Sequence, residues 1–172
     1  TEVMWIQKSE KEIVGAVTTE ALEETVAFDA KAELPSKNKN IELAKDVAAM
    51  ATDGGVLLYG VAEDENGRPT VLNPIPLAGQ RERISAIVQT SIAEPPFVRI
   101  SEIPTHDDPE VGYIVVVVPP SERAPHMVVV KGDNRFYGRT DTGNRMLPEA
   151  EVARLYERRQ WALVDMKAML SE

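Results

Sequence analysis

The chain contains 172 residues, a length typical of one domain, and we expect no second catalytic domain. Hydrophobic residues make up 43% of it and charged residues 27%, which predicts a globular fold with a sizeable core. Nineteen basic and 28 acidic residues give a net charge of −9, so nucleic acid would need a local basic patch. The absence of cysteine excludes disulfides, zinc–thiolate sites and cysteine nucleophiles.

The sequence also argues against a membrane protein. Its longest apolar run, residues 113–118, is far shorter than the roughly 20 residues that span a bilayer. No charged-then-apolar leader opens the sequence, so we expect neither membrane insertion nor secretion. The expected location is the cytoplasm.

The first half of the chain contains signals for three helices and two strands. Capping-box spacing at Ser9 and a Thr19 followed by glutamates predict two short N-terminal helices. Alternation of apolar and polar residues over 26–32 predicts a half-exposed strand. A helix from Asn40 to about Thr52 follows, and then a strand over 56–61 that is apolar on both faces and therefore central.

The second half alternates in the same way. Asn66-Gly67 indicates a hairpin turn, residues 78–92 a helix, and residues 97–101 and 111–118 two strands. Residues 127–130 and 134–137 flank a second predicted hairpin, and a long helix begins at Pro148 and runs almost to the end. Together these elements predict an α/β (α+β) fold, a mixed β-sheet flanked by helices with a C-terminal helix.

Acidic residues of the two early strands form one candidate site. Asp29 and Lys31 point to the same side of their strand, while Glu24 precedes that strand and Glu63 follows the central one. If the strands are neighbours, three carboxylates converge beside a lysine. Carboxylate oxygens suit Mg²⁺ or Mn²⁺, and Lys31 could offset charge on a scissile phosphate. In a chain with 28 acids such an alignment also arises by chance.

Basic residues near the second hairpin form the other candidate site. Between residues 121 and 145 there are five basic and three acidic residues, interleaved with two aromatics. Basic side chains with aromatic neighbours suit phosphate contact and base stacking, although a solvated hairpin with ordinary surface charge has the same pattern. The candidate nucleic-acid contacts are Lys31, Arg123, His126, Lys131, Arg135, Tyr137, Arg139 and Arg145.

The order of several short segments resembles the Schlafen/AlbA-like domain family, described as DNA-binding or divergent ATP-binding domains of bacterial regulators. The resembling segments are ETVAFDAK at 24–31, AKDVAAMA at 44–51, GGVLLYGV at 54–61, EPP at 94–96 and RFYGRT at 135–140. The resemblance covers about residues 22–158. It implies a Schlafen/AlbA-like domain at 22–158, an N-terminal helical segment at 1–21 and a C-terminal helix extension at 159–172.

In Schlafen proteins with nuclease activity, three acidic residues form a metal-dependent site that cuts structured RNA. Carried over to this sequence, they fall on Glu24, Asp29 and Glu63, which implies a Mg²⁺ or Mn²⁺ site with Lys31 beside it. Three features depart from the family pattern. Asp29 and Glu63 exchange the expected carboxylate lengths, and Ala30 replaces an aromatic residue. The Asn of the family's A-N-T is absent before Gly54.

Three functions follow from the sequence. The leading hypothesis is a nucleic-acid-binding module for DNA or RNA, of regulatory or defence type, that needs no cofactor. The second is a metal-dependent endoribonuclease, and the third, favoured by the charge of −9, is a protein-interaction scaffold. Since Schlafen nucleases have two similar lobes, the resemblance also implies a homodimer. Its candidate contacts are Trp161, Leu163, Met166 and Leu170, unless the last helix packs on its own domain.

Overall fold

A computed structural model describes residues 6–171 and confirms the predicted α+β class. The α-helices of this range are α1 (Glu10–Thr18), α2 (Asn40–Met50), α3 (Gln80–Ser91) and α4 (Glu149–Leu170), with a 3₁₀ turn at Lys37–Lys39. The strands are β1 (Phe28–Lys31), β2 (Gly55–Tyr59), β3 (Val61–Glu63), β4 (Pro69–Leu72), β5 (Ile75–Pro76), β6 (Arg99–Pro104), β7 (Val111–Val118), β8 (Val128–Val130), β9 (Asp133–Arg135), β10 (Tyr137–Thr140) and β11 (Gly143–Met146).

The main sheet is built around β7. One edge of β7 pairs antiparallel with β6, and the other pairs antiparallel with β2 and, at residues 111–112, with β5. β1 pairs parallel with β2, which makes the sheet mixed as predicted. The register sets Asp29 beside Leu57 and Lys31 beside Tyr59, so the acidic strand lies directly against the central one.

Both faces of this sheet are covered, which explains the continuous apolar sequences of β2 and β7. Leu57 and Ile114 belong to a core closed by α2 and α3. Leu58 and Val115 belong to a second core closed by α1. Within residues 6–171, no helix is long and apolar enough to cross a membrane.

Two glycines turn the chain at the ends of β2. Gly54 has φ +91°, and its backbone N–H donates to the carbonyl of Met50 at 2.7 Å, which ends α2. Gly60 has φ +111° and donates to the carbonyl of Lys31 at 2.8 Å, which ties the end of β1 to the turn into β3.

The N-terminal region differs from the prediction. Ser9 caps α1, because its hydroxyl accepts the backbone N–H of Glu12 at 3.3 Å. The second predicted helix does not form, since Thr19 ends α1 and Glu20 has φ +52°. The 26–32 strand is also not half-exposed: Asp29 and Ala30, on opposite faces of β1, are both buried.

The hairpins were predicted in part. The β3–β4 and β8–β9 hairpins confirm the predicted turns at Asn66-Gly67 and 131–133. The β10–β11 hairpin is an addition to the prediction, and β6 lies two to three residues later than expected. α4 begins after Pro148 as predicted, and none of its 22 residues is buried.

Candidate functional site: an acidic cleft and an arginine pocket

The three sequence-predicted carboxylates line one cleft of about 340 Å³ beside β1. Asp29 comes from β1, Glu63 from the end of β3, and Glu24 from the segment before β1. The cleft is closed by α2 and the β10–β11 hairpin, so elements distant in sequence bring these side chains together. Its charged lining consists of Glu24, Asp29, Lys31, Glu42, Lys45, Asp46, Glu63 and Arg139.

Asp29 is neutralised inside the cleft. Its Oδ2 atom lies 3.2 Å from Nζ of Lys31 and 3.4 Å from Nη1 of Arg139. The Asp29 and Arg139 side chains are 7% and 5% exposed, so this ion pair is shielded from water. Arg139 also donates to the carbonyl of Thr25 at 3.2 Å and to Oδ1 of Asn144 at 3.1 Å. The guanidinium therefore holds β1 and the β10–β11 hairpin together.

Asp46 of α2 is a second buried carboxylate, and the sequence analysis did not select it. Its Oδ1 atom accepts from Nδ2 of Asn144 at 2.6 Å, and its Oδ2 atom lies 3.8 Å from Nζ of Lys31. Burial, together with the negative charge of Asp29, raises the pKa of Asp46 to about 6 despite the opposing effects of Lys31 and Asn144. The available signal was its position between Leu43 and Met50 on the apolar side of the helix.

Glu24 lies closer to the mouth of the cleft. Burial, followed by interaction with Asp29 and the negative charge of Glu63, raises the pKa of Glu24 to about 7. Burial lowers the pKa of Lys31, but the charges of Asp46 and Asp29 outweigh it and raise that pKa overall. Near neutral pH, Glu24 is therefore partly protonated, whereas Lys31 carries its positive charge.

The donor set of the cleft does not fit a divalent cation. Lys31 and Arg139 both contact Oδ2 of Asp29, so cationic side chains already engage that oxygen. Over residues 6–171, no three histidine, cysteine, aspartate or glutamate side chains form a group that could hold a metal ion. The sequence indicated which carboxylates meet but not that cations already neutralise one of them.

A second depression, the arginine pocket, lies between the end of α2, the β10–β11 hairpin and the start of α4. Its volume is about 490 Å³. Four arginines and only two carboxylates line it, namely Arg139, Arg145, Arg154, Arg158, Asp53 and Glu151. The remaining lining is mainly apolar, with Ala27, Ala49, Met50, Leu147 and Leu155. In a chain of charge −9, this is a local excess of positive charge.

Hydrogen bonds hold two of these guanidiniums in place. Arg145 pairs with Oε2 of Glu151 at 2.6 Å. Arg158 donates to the carbonyl of Thr52 at 2.7 Å and to Oδ1 of Asp53 at 3.1 Å. Arg154 is exposed and makes no hydrogen bond or ion pair with any residue in 6–171. The sequence analysis missed Arg154 and Arg158, although their spacing of four residues puts them on one face of α4.

Two predicted nucleic-acid contacts face inward, which corrects the prediction. His126 is buried: its Nδ1 donates to the carbonyl of Glu94 at 2.6 Å, and its Nε2 accepts from the hydroxyl of Ser121 at 2.8 Å. Burial lowers the pKa of His126. Tyr137 is also buried, and Nζ of Lys45 lies 5.1 Å from its ring centroid. The His126 ring is therefore not available to a phosphate or a base, and the small exposed part of Tyr137 faces the acidic cleft.

The remaining predicted cations lie in different places. Lys131 and Arg135 are exposed on the β8–β9 hairpin, where Nε of Arg135 lies 3.0 Å from Oδ1 of Asp133. Arg123 is exposed near the carbonyl of Pro95, and Lys31 is half-buried in the cleft. Only Arg139 and Arg145 of the predicted set line the arginine pocket, and Arg139 lines the acidic cleft as well.

Comparison with known proteins gives a matching family model and several similar chains among the solved structures. The family model described as "Schlafen, AlbA_2" matches residues 24–148, well over half of the chain. No curated protein matches. A solution NMR structure of the N-terminal domain of a RecG-related protein from Nitrosomonas europaea, named after an ATP-dependent DNA helicase, matches with 19% identity and a TM-score of 0.49. That match covers 73% of this chain and 84% of the other.

Proposed function

The chain belongs to the Schlafen AlbA_2 family, and from this membership and the arginine pocket we propose that it is a nucleic-acid-binding module. The observation that carries the proposal is that three further arginines face only two carboxylates around one pocket, in addition to Arg139, which Asp29 already neutralises. Guanidinium groups donate in a planar fork that matches phosphate oxygens. The acidic surroundings repel polyanions elsewhere, so a strand would be directed to this pocket.

The individual arginines have different parts in this proposal. Arg145 and Arg158 are positioned by Glu151 and Asp53, so their guanidiniums lose little freedom when a phosphate binds. Arg154 makes no hydrogen bond or close ion pair within residues 6–171 and has Glu151 as a charged neighbour, so it is the cation most available for a phosphate. Lys131 and Arg135, on the preceding hairpin, stay predicted contacts along the backbone of the strand.

Substitution of Arg154 tests this function. We expect Arg154→Ala to weaken binding of a fluorescent oligonucleotide roughly tenfold at low salt and to reduce the log–log salt slope by about one. Arg81→Ala is the matched control, because Arg81 is also exposed but lines neither the pocket nor the cleft. Equal affinities of the two variants in fluorescence anisotropy would contradict the proposal. Failure of the native protein to bind any DNA or RNA would favour the scaffold alternative.

The endoribonuclease alternative depends on the convergence of Glu24, Asp29 and Glu63 in one cleft. The endoribonuclease activity stays a prediction from the sequence, because the side chains of the cleft, as they are arranged, do not fit Mg²⁺ or Mn²⁺. Its test is cleavage of structured RNA with Mn²⁺ or Mg²⁺, compared between the native chain and Asp29→Asn. Cleavage that disappears in the variant would support it, and a native protein without metal-dependent cleavage would remove it.

We also propose that two copies pair through the end of α4. Leu163, Met166 and Leu170 are exposed on one face of the helix, and Trp161, which is 68% exposed, lies on the opposite face. In an antiparallel pair centred on Met166, Asp165 of one copy lies opposite Lys167 of the other, while apolar residues face each other. This charge match favours a second copy as the occupant. The cytoplasmic location stays a prediction.

A further inference from the structure

The arginine pocket has the size and depth of a ligand site, beyond what phosphate contact alone requires. Its volume of about 490 Å³ falls within the roughly 300–1,000 Å³ usual for small-molecule sites. Phosphates of a strand contact guanidiniums on an open surface equally well, so the cavity behind the guanidiniums needs another explanation.

The floor of the pocket is apolar and rigid. Ala49 and Met50 are 3% and 1% exposed, so the α2 side of the floor is fixed by the core. Leu155 of α4 and Leu147 form the opposite wall and are half-exposed. A Cβ added at Gly138 would lie 2.7 Å from Cδ2 of Leu147, so the hairpin backbone packs closely against that wall. The accessible apolar surface of Leu147 and Leu155, backed by this packed layer, suits contact with a nucleobase.

The charge at the mouth complements this floor. Arg154 stands exposed beside Leu155, and Arg145 lies across the pocket on β11. A nucleotide placed with its base against Leu147 and Leu155 would bring its phosphate to these guanidiniums. Guanidinium planes also stack on bases. The pocket therefore combines the two recognition elements that one nucleotide needs.

The same geometry discriminates between strand types. Bases of a duplex are stacked and paired and present only their edges in the grooves, so they cannot reach an apolar floor. A single strand unstacks at small cost. We propose, on the basis of the proposed function, that the arginine pocket binds one unstacked nucleotide of single-stranded nucleic acid, with its base against Leu147 and Leu155 and its phosphate at Arg154.

Two measurements of fluorescence anisotropy test this proposal. The first compares the affinities for a single-stranded oligonucleotide and for the duplex of the same sequence, and the second repeats this comparison with two leucine variants. We expect the native protein to prefer the single strand at least tenfold. Leu155→Ala weakens single-strand binding roughly fivefold and leaves duplex binding unchanged. Leu72→Ala, an exposed leucine of β4 outside the pocket, is the control and has no effect.

The outcomes distinguish failure of the pocket proposal from failure of the proposed nucleic-acid binding. Equal affinity for single strand and duplex, or equal loss of both in Leu155→Ala, would overturn the pocket proposal while nucleic-acid binding stands. Binding of neither strand would refute both. Should Leu155→Ala fail to fold, an oligonucleotide carrying 2-aminopurine at each position in turn supplies the test with native protein. One position gains fluorescence on binding if a base unstacks into the pocket, and no gain at any position would overturn the proposal.

Discussion

Arg139 is the residue on which the acidic cleft depends. Its guanidinium joins Asp29, Asn144 and the carbonyl of Thr25, and it is almost fully buried. Sequence reasoning had assigned it to phosphate contact, because an arginine beside an aromatic residue on a hairpin is typical of nucleic-acid binding. The buried partner, Asp29, lies 110 residues away, and no local pattern reveals such a pair.

Removal of this guanidinium should destabilise the fold. We expect Arg139→Ala to lower the free energy of unfolding by about 3 kcal/mol, because it leaves the buried Asp29 with Lys31 alone. Urea denaturation measures this loss. Arg135→Ala, whose ion pair with Asp133 is largely exposed, should change stability by less than about 1 kcal/mol. Equal losses in the two variants would mean that Arg139 is not structural.

Asp46 should make stability depend on pH. Its pKa of about 6 lies above the ordinary 3.8, so the folded chain holds this proton more tightly than the unfolded chain. Its contribution to stability is therefore full below about pH 4 and is lost as pH rises through 6. Relative to the native chain, Asp46→Asn should gain up to about 3 kcal/mol between pH 4 and 7. Urea titrations at several pH values measure this difference, and a constant difference would contradict the assignment.

Among the elements, α4 shows most clearly what patterns can and cannot predict. Pro148 and the acidic first turn correctly predicted where it begins. The apolar residues of its second half indicated a contact with a second copy or packing on the domain itself, and within one chain they are not buried. The β10–β11 hairpin escaped prediction because its four-residue strands contain glycine, arginine and asparagine in place of alternating apolar residues. This hairpin packs on α2 and borders both the acidic cleft and the arginine pocket. The sequence therefore predicted the main sheet better than it predicted these two sites.

Polar anchors hold α4 in place of a buried face. Arg158 binds Thr52 and Asp53, while Arg159 pairs with Glu94 at 2.9 Å. We expect Arg158→Ala to accelerate hydrogen exchange of the α4 backbone amides severalfold, because local opening then breaks fewer contacts. Arg154→Ala, on the same helix but without a bonded partner, should leave exchange unchanged. The same protection in both variants would show that these anchors do not hold the helix.

For the whole molecule, the exposed end of α4 predicts the oligomeric state. Light scattering coupled to size exclusion should give the mass of a dimer at about 100 µM for the native chain, since the apolar end needs a partner. Met166→Glu should give a monomer, because it sets two charges at the centre of the contact. A native monomer at this concentration would refute the pairing.

The distribution of charge over the whole molecule predicts which side of it binds nucleic acid. The acidic cleft and the arginine pocket share Arg139 as a wall, yet the cleft carries more carboxylates than cations and the pocket the reverse. A nucleic acid should therefore contact the pocket side and avoid the cleft side. The sequence predicted a basic patch in an acidic chain, but only the fold placed the cations of α4 beside those of β11.

Photo-crosslinking of a bound oligonucleotide, followed by mapping of the linked peptides, tests this claim most directly. The account predicts crosslinks in β11 and the first half of α4, within residues 145–158, and their loss in Arg154→Ala. Crosslinks concentrated around Glu24, Asp29 and Glu63 would instead place the strand in the acidic cleft and contradict the account.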